Sequence, residues 1–214
     1  MISVISVNWK AYDFASVLAE SLDLYTTNEY ELIIIDNTQN NIGHGEGLMC
    51  GLEQVIHPYT VFLDIDTHVL INGWDEYFLQ LMHDYDVVGG KGVPQKPIRP
   101  ACMFMKTHIA KKYDWTATAG YQGHRVTPNG YDVAIRAYHQ MKLANIRIKL
   151  IESIPSRYKT CNGEEFVVDG TPVVYHHWHG THLKERSVDF PDIDLFADKE
   201  LLFRQIPWRM FQLF

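Results

Sequence analysis

At 214 residues the chain can bury a substantial core as one domain, and 46% hydrophobic with 21% charged residues is the balance of a soluble globular protein. A formal net charge of −7 argues against an extended nucleic-acid surface. Three cysteines (Cys50, Cys102, Cys161) lack metal-like spacing and read as reduced thiols. No leader-like segment opens the sequence and no apolar run is long enough to span a bilayer, so a cytoplasmic protein is expected.

The first strand is predicted over 2–7, ending at Asn8-Trp9-Lys10. Phe14, Val17, Leu18 and Leu22 at helical spacing predict a helix over 14–22, with Asp13 as its N-cap. Glu31-Leu32-Ile33-Ile34-Ile35-Asp36 reads as a second buried strand, followed by a polar loop to Gly47 and a helix over 47–55. Val61-Phe62-Leu63-Asp64-Ile65-Asp66 is a third strand; a helix over 74–82 and a strand over 86–90 follow. Residues 89–100, rich in Gly, Pro and Lys, predict a loop before a short strand over 101–105, and 113–130 a second loop lining a cleft. A helix from about 133, with Asp132 at its N-terminus, and strands over 146–151 and 173–177 complete the pattern. Residues 183–214 read as an acidic, then aromatic tail, with a helix expected over 193–203. Alternating strands and helices imply an α/β fold with a mostly parallel central sheet flanked by helices. In such sheets ligands bind beyond the carboxyl ends of the strands, where Asn8, Asp36, Asp64 and Asp66 all fall.

In extended chain Asp64 and Asp66 point the same way and Ile65 away. Two like charges at such a separation repel by about 1 kcal/mol in water and about 4 at a protein-like dielectric. A divalent cation held by oxygen ligands is the simplest way to offset that cost.

Taken in order, several motifs resemble the GT-A type glycosyltransferases, in particular the inverting family 2 kind. They are Val7-Asn8-Trp9-Lys10, Ile34-Ile35-Asp36-Asn37, Asn40-Asn41-Ile42-Gly43, Phe62-Leu63-Asp64-Ile65-Asp66, Gly130-Tyr131-Asp132 and His176-His177-Trp178-His179-Gly180. The resemblance implies a catalytic domain over 1–182, with a nucleotide-binding half to about 100 and an acceptor half over 101–182. The tail over 183–214 would pack on that domain, a partner or a further domain. It implies transfer of a sugar from a nucleotide-diphosphate donor, a UDP-sugar being favoured, to a glycan or other hydroxyl acceptor with inversion. Donor contacts fall to Val7, Asn8, Asp36, Asn41, Asp64 and Ile65, and the general base to Asp132. This family usually has an acidic pair where Tyr131-Asp132 stands here.

The implied cation is Mn²⁺ or Mg²⁺, with Asp66 as direct ligand and Asp64 facing the ribose or a metal-bound water. An imidazole third ligand suits Mn²⁺ better. In an extended segment His177 and His179 share a face and His176 lies opposite, so His179 is expected first and His177 second. Lys184 and Arg186 are candidates for steadying the diphosphate, and Trp74, Trp115, Tyr121 and His124 for stacking on sugar rings. A sugar nucleotidyltransferase would need a Gly- and Arg-rich loop straight after the first strand, which Val7 to Tyr12 do not supply. A non-catalytic nucleotide-sugar-binding module remains the alternative that only an assay separates, and a histidine-based metallohydrolase would leave Asn8 and Asp36 without a role.

Overall fold

The computed structural model describes residues 1–93, 96–116, 133–155 and 163–177. The chain runs β1 (Ile2–Asn8), α1 (Tyr12–Tyr25), β2 (Tyr30–Asp36), α2 (His44–Gln54), β3 (Tyr59–Leu63), β4 (Thr67–Val69) and α3 (Trp74–Leu81). It continues through β5 (Val87–Val93), β6 (Lys96–Lys106), α4 (Thr107–Ala110), α5 (Ile135–Leu143), β7 (Ile148–Pro155), β8 (Gly163–Val168) and β9 (Thr171–His177). Sequence patterning located the first three strands and helices within a few residues. The tail, including the expected helix over 193–203, lies outside the described residues.

The strands form one sheet in the order β2-β1-β3-β6-β5-β7-β8-β9-β4. β1 pairs parallel with β2 and β3, and β5 with β7; the β3/β6, β5/β6, β7/β8, β8/β9 and β4/β9 pairs are antiparallel. The sheet is therefore mixed, which corrects the expected mostly parallel arrangement. The reason lies within the expected loop over 89–100, where 89–93 and 96–100 belong to the two arms of an antiparallel β5/β6 pairing, from Val87↔Met105 to Val93↔Lys96. β6 then inserts beside β3 with opposite polarity.

Only three residues separate β3 from β4, yet β3 is third in the sheet and β4 ninth. Such a short link can join distant positions only if the sheet curls until its far edge returns to β3. The turn carrying Asp64 and Asp66 is the link.

Both faces of β1 and β3 are covered, which is why these strands read as largely apolar runs, while β2 at the end of the strand order is partly exposed. Ile2, Val4, Val61, Leu63 and Phe104 point into one core with Phe14, Leu18 and Leu22 of α1 and Trp74 and Phe78 of α3. Their alternates Ile5, Val7, Phe62, Met103 and Met105 point into the other, with Leu48 and Leu52 of α2 and with Trp115. Gly47 and Gly51, one turn apart on α2, let that helix lie directly on β1. A Cβ at Gly47 would stand 2.8 Å from Val7 Cγ1, and one at Gly51 2.5 Å from Ile5 Cγ2.

Gly90 does the equivalent where the sheet bends. The β5/β6 register shifts between Gly89 and Gly90, and the fully buried Phe166 ring of β8 lies where a Gly90 Cβ would be. Gly90→Ala is expected to destabilise the chain by about 1–3 kcal/mol through overpacking, read from the midpoint of chemical denaturation.

At the opposite end of these strands, Asp86 joins three segments. Its Oδ1 accepts from Lys106 Nζ at 2.7 Å and Arg147 Nη2 at 3.1 Å, and its Oδ2 from Arg147 Nε at 3.2 Å. The Arg147 hydrogen bonds first, then those of Lys106, overcome desolvation and hold the Asp86 carboxyl well below the usual range. A depressed folded-state pKa adds stability above the unfolded value of about 3.9 and loses it as pH falls towards the folded one. The stability gap between wild type and Asp86→Asn should therefore be constant near neutrality and close below about pH 4, as followed by thermal melts across that range.

Candidate functional site

The site is built on the turn between β3 and β4. Asp64 O accepts from Thr67 N at 3.0 Å and from Thr67 Oγ1 at 2.7 Å, closing a tight reversal instead of the extended strand end expected from sequence. Ile65, 2% exposed, goes into the core, while the carboxylates of Asp64 and Asp66 emerge together. The shared direction inferred from strand alternation is thus present, produced by a turn.

β9 brings a histidine to them. Thr67 and His176 are Cα partners in the β4/β9 pairing, and His177 N donates to Asp66 O at 2.9 Å, so β9 is locked alongside the turn. His176 Nε2 lies 3.5 Å from Asp66 Oδ1 and 3.8 Å from Asp64 Oδ2. One ligand atom each from Asp64, Asp66 and His176 lie within 4.8 Å of one another. Two carboxylate oxygens and an imidazole nitrogen make a donor set suited to a divalent cation such as Mn²⁺.

Around this trio, His44 Nε2 at the start of α2 approaches Asp64 Oδ1 at 3.4 Å. On the other side His176 Nδ1 meets Glu164 Oε1 at 3.1 Å, and that oxygen also pairs with Arg99 Nη1. Burial alone would push His176 down. The Asp66 carboxylate, then Glu164 and Asp64, overcome it and raise the imidazole to about 10. The raised imidazole thus sets positive charge beside the two carboxylates and offsets their mutual repulsion.

The histidine expected second, His177, is not at the carboxylates. Its Nε2 sits 3.2 Å from His68 Nδ1, its ring packs 5.1 Å from that of Phe14, and it is 5% exposed. The alternation argument was right that His176 and His177 face opposite ways. Which face meets the carboxylates depends on the β4/β9 pairing, which brings His176 to them. His68, fully buried beside it, is kept neutral because burial pushes its imidazole down to about 3. His179, Asp132, Tyr121, His124, Lys184 and Arg186 lie outside the described residues.

The expected donor residues sit at the carboxyl end of β1 and β2, with differing freedom. Asn8 and Asp36 are Cα partners. Asn8 is 1% exposed and its Oδ1 accepts from Ala11 N at 3.0 Å, so its side chain organises the entry to α1. That helix starts at Tyr12 with Ala11 at its N-cap, ahead of the expected Asp13. Asp36 is exposed and accepts from Thr38 N at 3.0 Å and Tyr12 Oη at 3.1 Å. These hydrogen bonds, those of Thr38 foremost, lower its carboxyl. Asn41 Oδ1 accepts from Gly43 N at 3.1 Å in the loop before α2. Val7 and Ile65 are buried, leaving only their backbone to a ligand. Trp74 and Trp115 are fully buried core residues whose indole N–H groups donate to Thr26 Oγ1 and Ala110 O, so neither presents a ring to a sugar.

Sequence reasoning missed His44, Arg99 and Glu164. His44 lay within a Gly-rich loop, and Glu164 in a strand that the patterning did not detect.

No family model matches the chain, and no curated protein matches it. Among solved structures, it is similar to S. aureus TarS residues 1–349, a glycosyltransferase, at a TM-score of 0.52 and 16% identity over 91% of this chain. The chain spans 66% of that structure's length. Weaker likenesses include the same TarS fragment in complex with UDP-GlcNAc (TM-score 0.42, 16% identity, 55% of this chain and 48% of that one). Another is A197 from STIV, at a TM-score of 0.42 and 15% identity over 81% of this chain and 89% of that one. Among the described residues the chain thus has a mixed α/β fold with a curled nine-stranded sheet, similar in fold to TarS residues 1–349.

Proposed function

We propose that this chain is a metal-dependent glycosyltransferase of GT-A type, transferring a sugar from a UDP-sugar to a hydroxyl acceptor with inversion. The observation that carries the reading is the convergence of Asp64, Asp66 and His176, one ligand atom each within 4.8 Å of the others, beside the carboxyl ends of β1, β2 and β3. The fold shared with TarS supports it, and the TarS complex with UDP-GlcNAc makes a UDP-sugar the first donor to try.

Asp66, Asp64 and His176 would hold Mn²⁺ or Mg²⁺, with His179 as a further candidate ligand. A cation there supplies Lewis acidity that stabilises negative charge on the departing diphosphate. The chain's own residues do the rest. Asp36, open to solvent at the end of β2, hydrogen-bonds a ribose or base, with Asn41 beside it. Buried Val7, Asn8 and Ile65 shape the floor on which the nucleotide lies. Asp132 takes the acceptor hydroxyl's proton as that oxygen attacks the anomeric carbon opposite the leaving group.

Incubation with Mn²⁺ and a panel of UDP-sugars, with a hydroxyl acceptor, should release UDP in a manner abolished by EDTA. UDP-sugar binding without any release would leave a nucleotide-sugar-binding module instead.

A further inference from the structure

The cluster extends beyond its three candidate ligands, and the extension is buried. Glu164 of β8 has a side chain only 3% exposed, and its Oε1 is shared between His176 Nδ1 at 3.1 Å and the Arg99 guanidinium of β6. Ser153 of β7 also hydrogen-bonds it. β6 and β8 are not neighbours in the sheet. Arg99 reaches Glu164 across the bend where Arg99 pairs with Gly90 and Phe166 lies against Gly90. A charged side chain so placed, held from three strands, needs a reason beyond solubility, since burying a carboxylate is costly unless it is fully paired.

We propose that Glu164 is the positioning residue for His176, and that Arg99 holds Glu164 in place for that task. This rests on the reading of Asp64, Asp66 and His176 as a cation site. An imidazole can give a lone pair to a cation from one nitrogen only while the other carries the hydrogen. With a cation in place of the Nε2 proton, Glu164 accepting at Nδ1 would keep the ring's remaining hydrogen there and leave the Nε2 lone pair on the side where Asp64 and Asp66 stand. The carboxylate thereby fixes both the tautomer and the ring plane, as outer partners of metal-binding histidines do. Arg99 holds Glu164 pointed at the ring, and its charge offsets the third carboxylate beside Asp64 and Asp66. Neither residue touches the cation.

The test is a double-mutant cycle on the full chain, with Mn²⁺ alone as probe and free Mn²⁺ counted by electron paramagnetic resonance. Glu164→Gln should weaken Mn²⁺ binding roughly 10- to 100-fold, the range for loss of an outer partner, with Glu164→Asp recovering part of it. In a His176→Ala background Glu164→Gln should change Mn²⁺ affinity no further, because its effect passes through the missing ring. Arg99→Met should weaken binding in the same direction and likewise lose its effect in that background. Circular dichroism melts identify any variant that fails to fold, and Glu164→Asp then serves in its place. Equal affinity of wild type and folded Glu164→Gln, or an undiminished effect in the His176→Ala background, overturns the positioning role alone. A wild-type chain that binds no Mn²⁺, or a His176→Ala variant with unchanged affinity, overturns the cation site as well.

Discussion

Asp66→Asn should lower Mn²⁺ affinity by more than about a hundredfold, since outer partners of a metal site already cost 10- to 100-fold when removed, and should abolish metal-dependent donor binding. The expectation follows from burial. Asp66 is 5% exposed and its Oδ1 lies 3.5 Å from His176 Nε2, whereas the Asp64 side chain is 24% exposed and also faces His44. Asn has the same shape, and the backbone bond from His177 N to Asp66 O does not involve the side chain, so the turn and β9 should stay in place. Asp64 and Glu164 still compensate the His176 imidazolium in the variant. Calorimetry with Mn²⁺ and UDP reads the result, and unchanged affinity would remove Asp66 from the ligand set.

Asp132→Asn should divide binding from chemistry. A positioned general base contributes typically 10²- to 10⁴-fold, so transfer should fall by about that factor while the donor is bound as before. Asp132 itself lies outside the described residues, but the chain that follows it is anchored. Val133 and Ala134 are buried beside Trp115, Ala134 N donates to Trp115 O at 3.5 Å, and α5 starts at Ile135 with Ala134 at its N-cap. The helix therefore begins later than the sequence pattern suggests. Single-turnover transfer measured beside donor binding makes the distinction. Retained turnover retires Asp132 as base, and lost donor binding moves it to the donor side.

What could be read from the sequence was what depends on local periodicity. Ile2 to Val7, Leu32 to Ile35 and Val61 to Leu63 announce themselves as short β-rich, largely apolar runs, those of β1 and β3 because their side chains are buried on both faces. The aspartates mark where the runs stop. What could not be read was pairing. Thr67-His68-Val69 is only three residues long, and Gly163-Glu164-Glu165 puts two buried glutamates at the start of a strand, so β4 and β8 resemble turns or solvated chain. Gly89, Gly90, Pro97 and Pro100 have the composition of a loop, yet lie in paired strands. The mixed polarity of the sheet follows from that pairing.

The same gap explains the histidine. That His176 and His177 point opposite ways is a property of any strand. That His176 is the one facing Asp64 and Asp66 follows from the pairing of Thr67 with His176, a contact spanning more than a hundred residues. Glu164 and Arg99 were invisible for the same reason. Each looks like an ordinary surface charge until the curl of the sheet brings β6, β8 and β9 around one imidazole.

The most direct measurement is anomalous scattering from crystals grown with Mn²⁺ and UDP. One strong manganese peak is expected within coordination distance of Asp66 and His176 and next to the UDP diphosphate. Manganese bound elsewhere, or UDP bound with no metal beside those carboxylates, would contradict it.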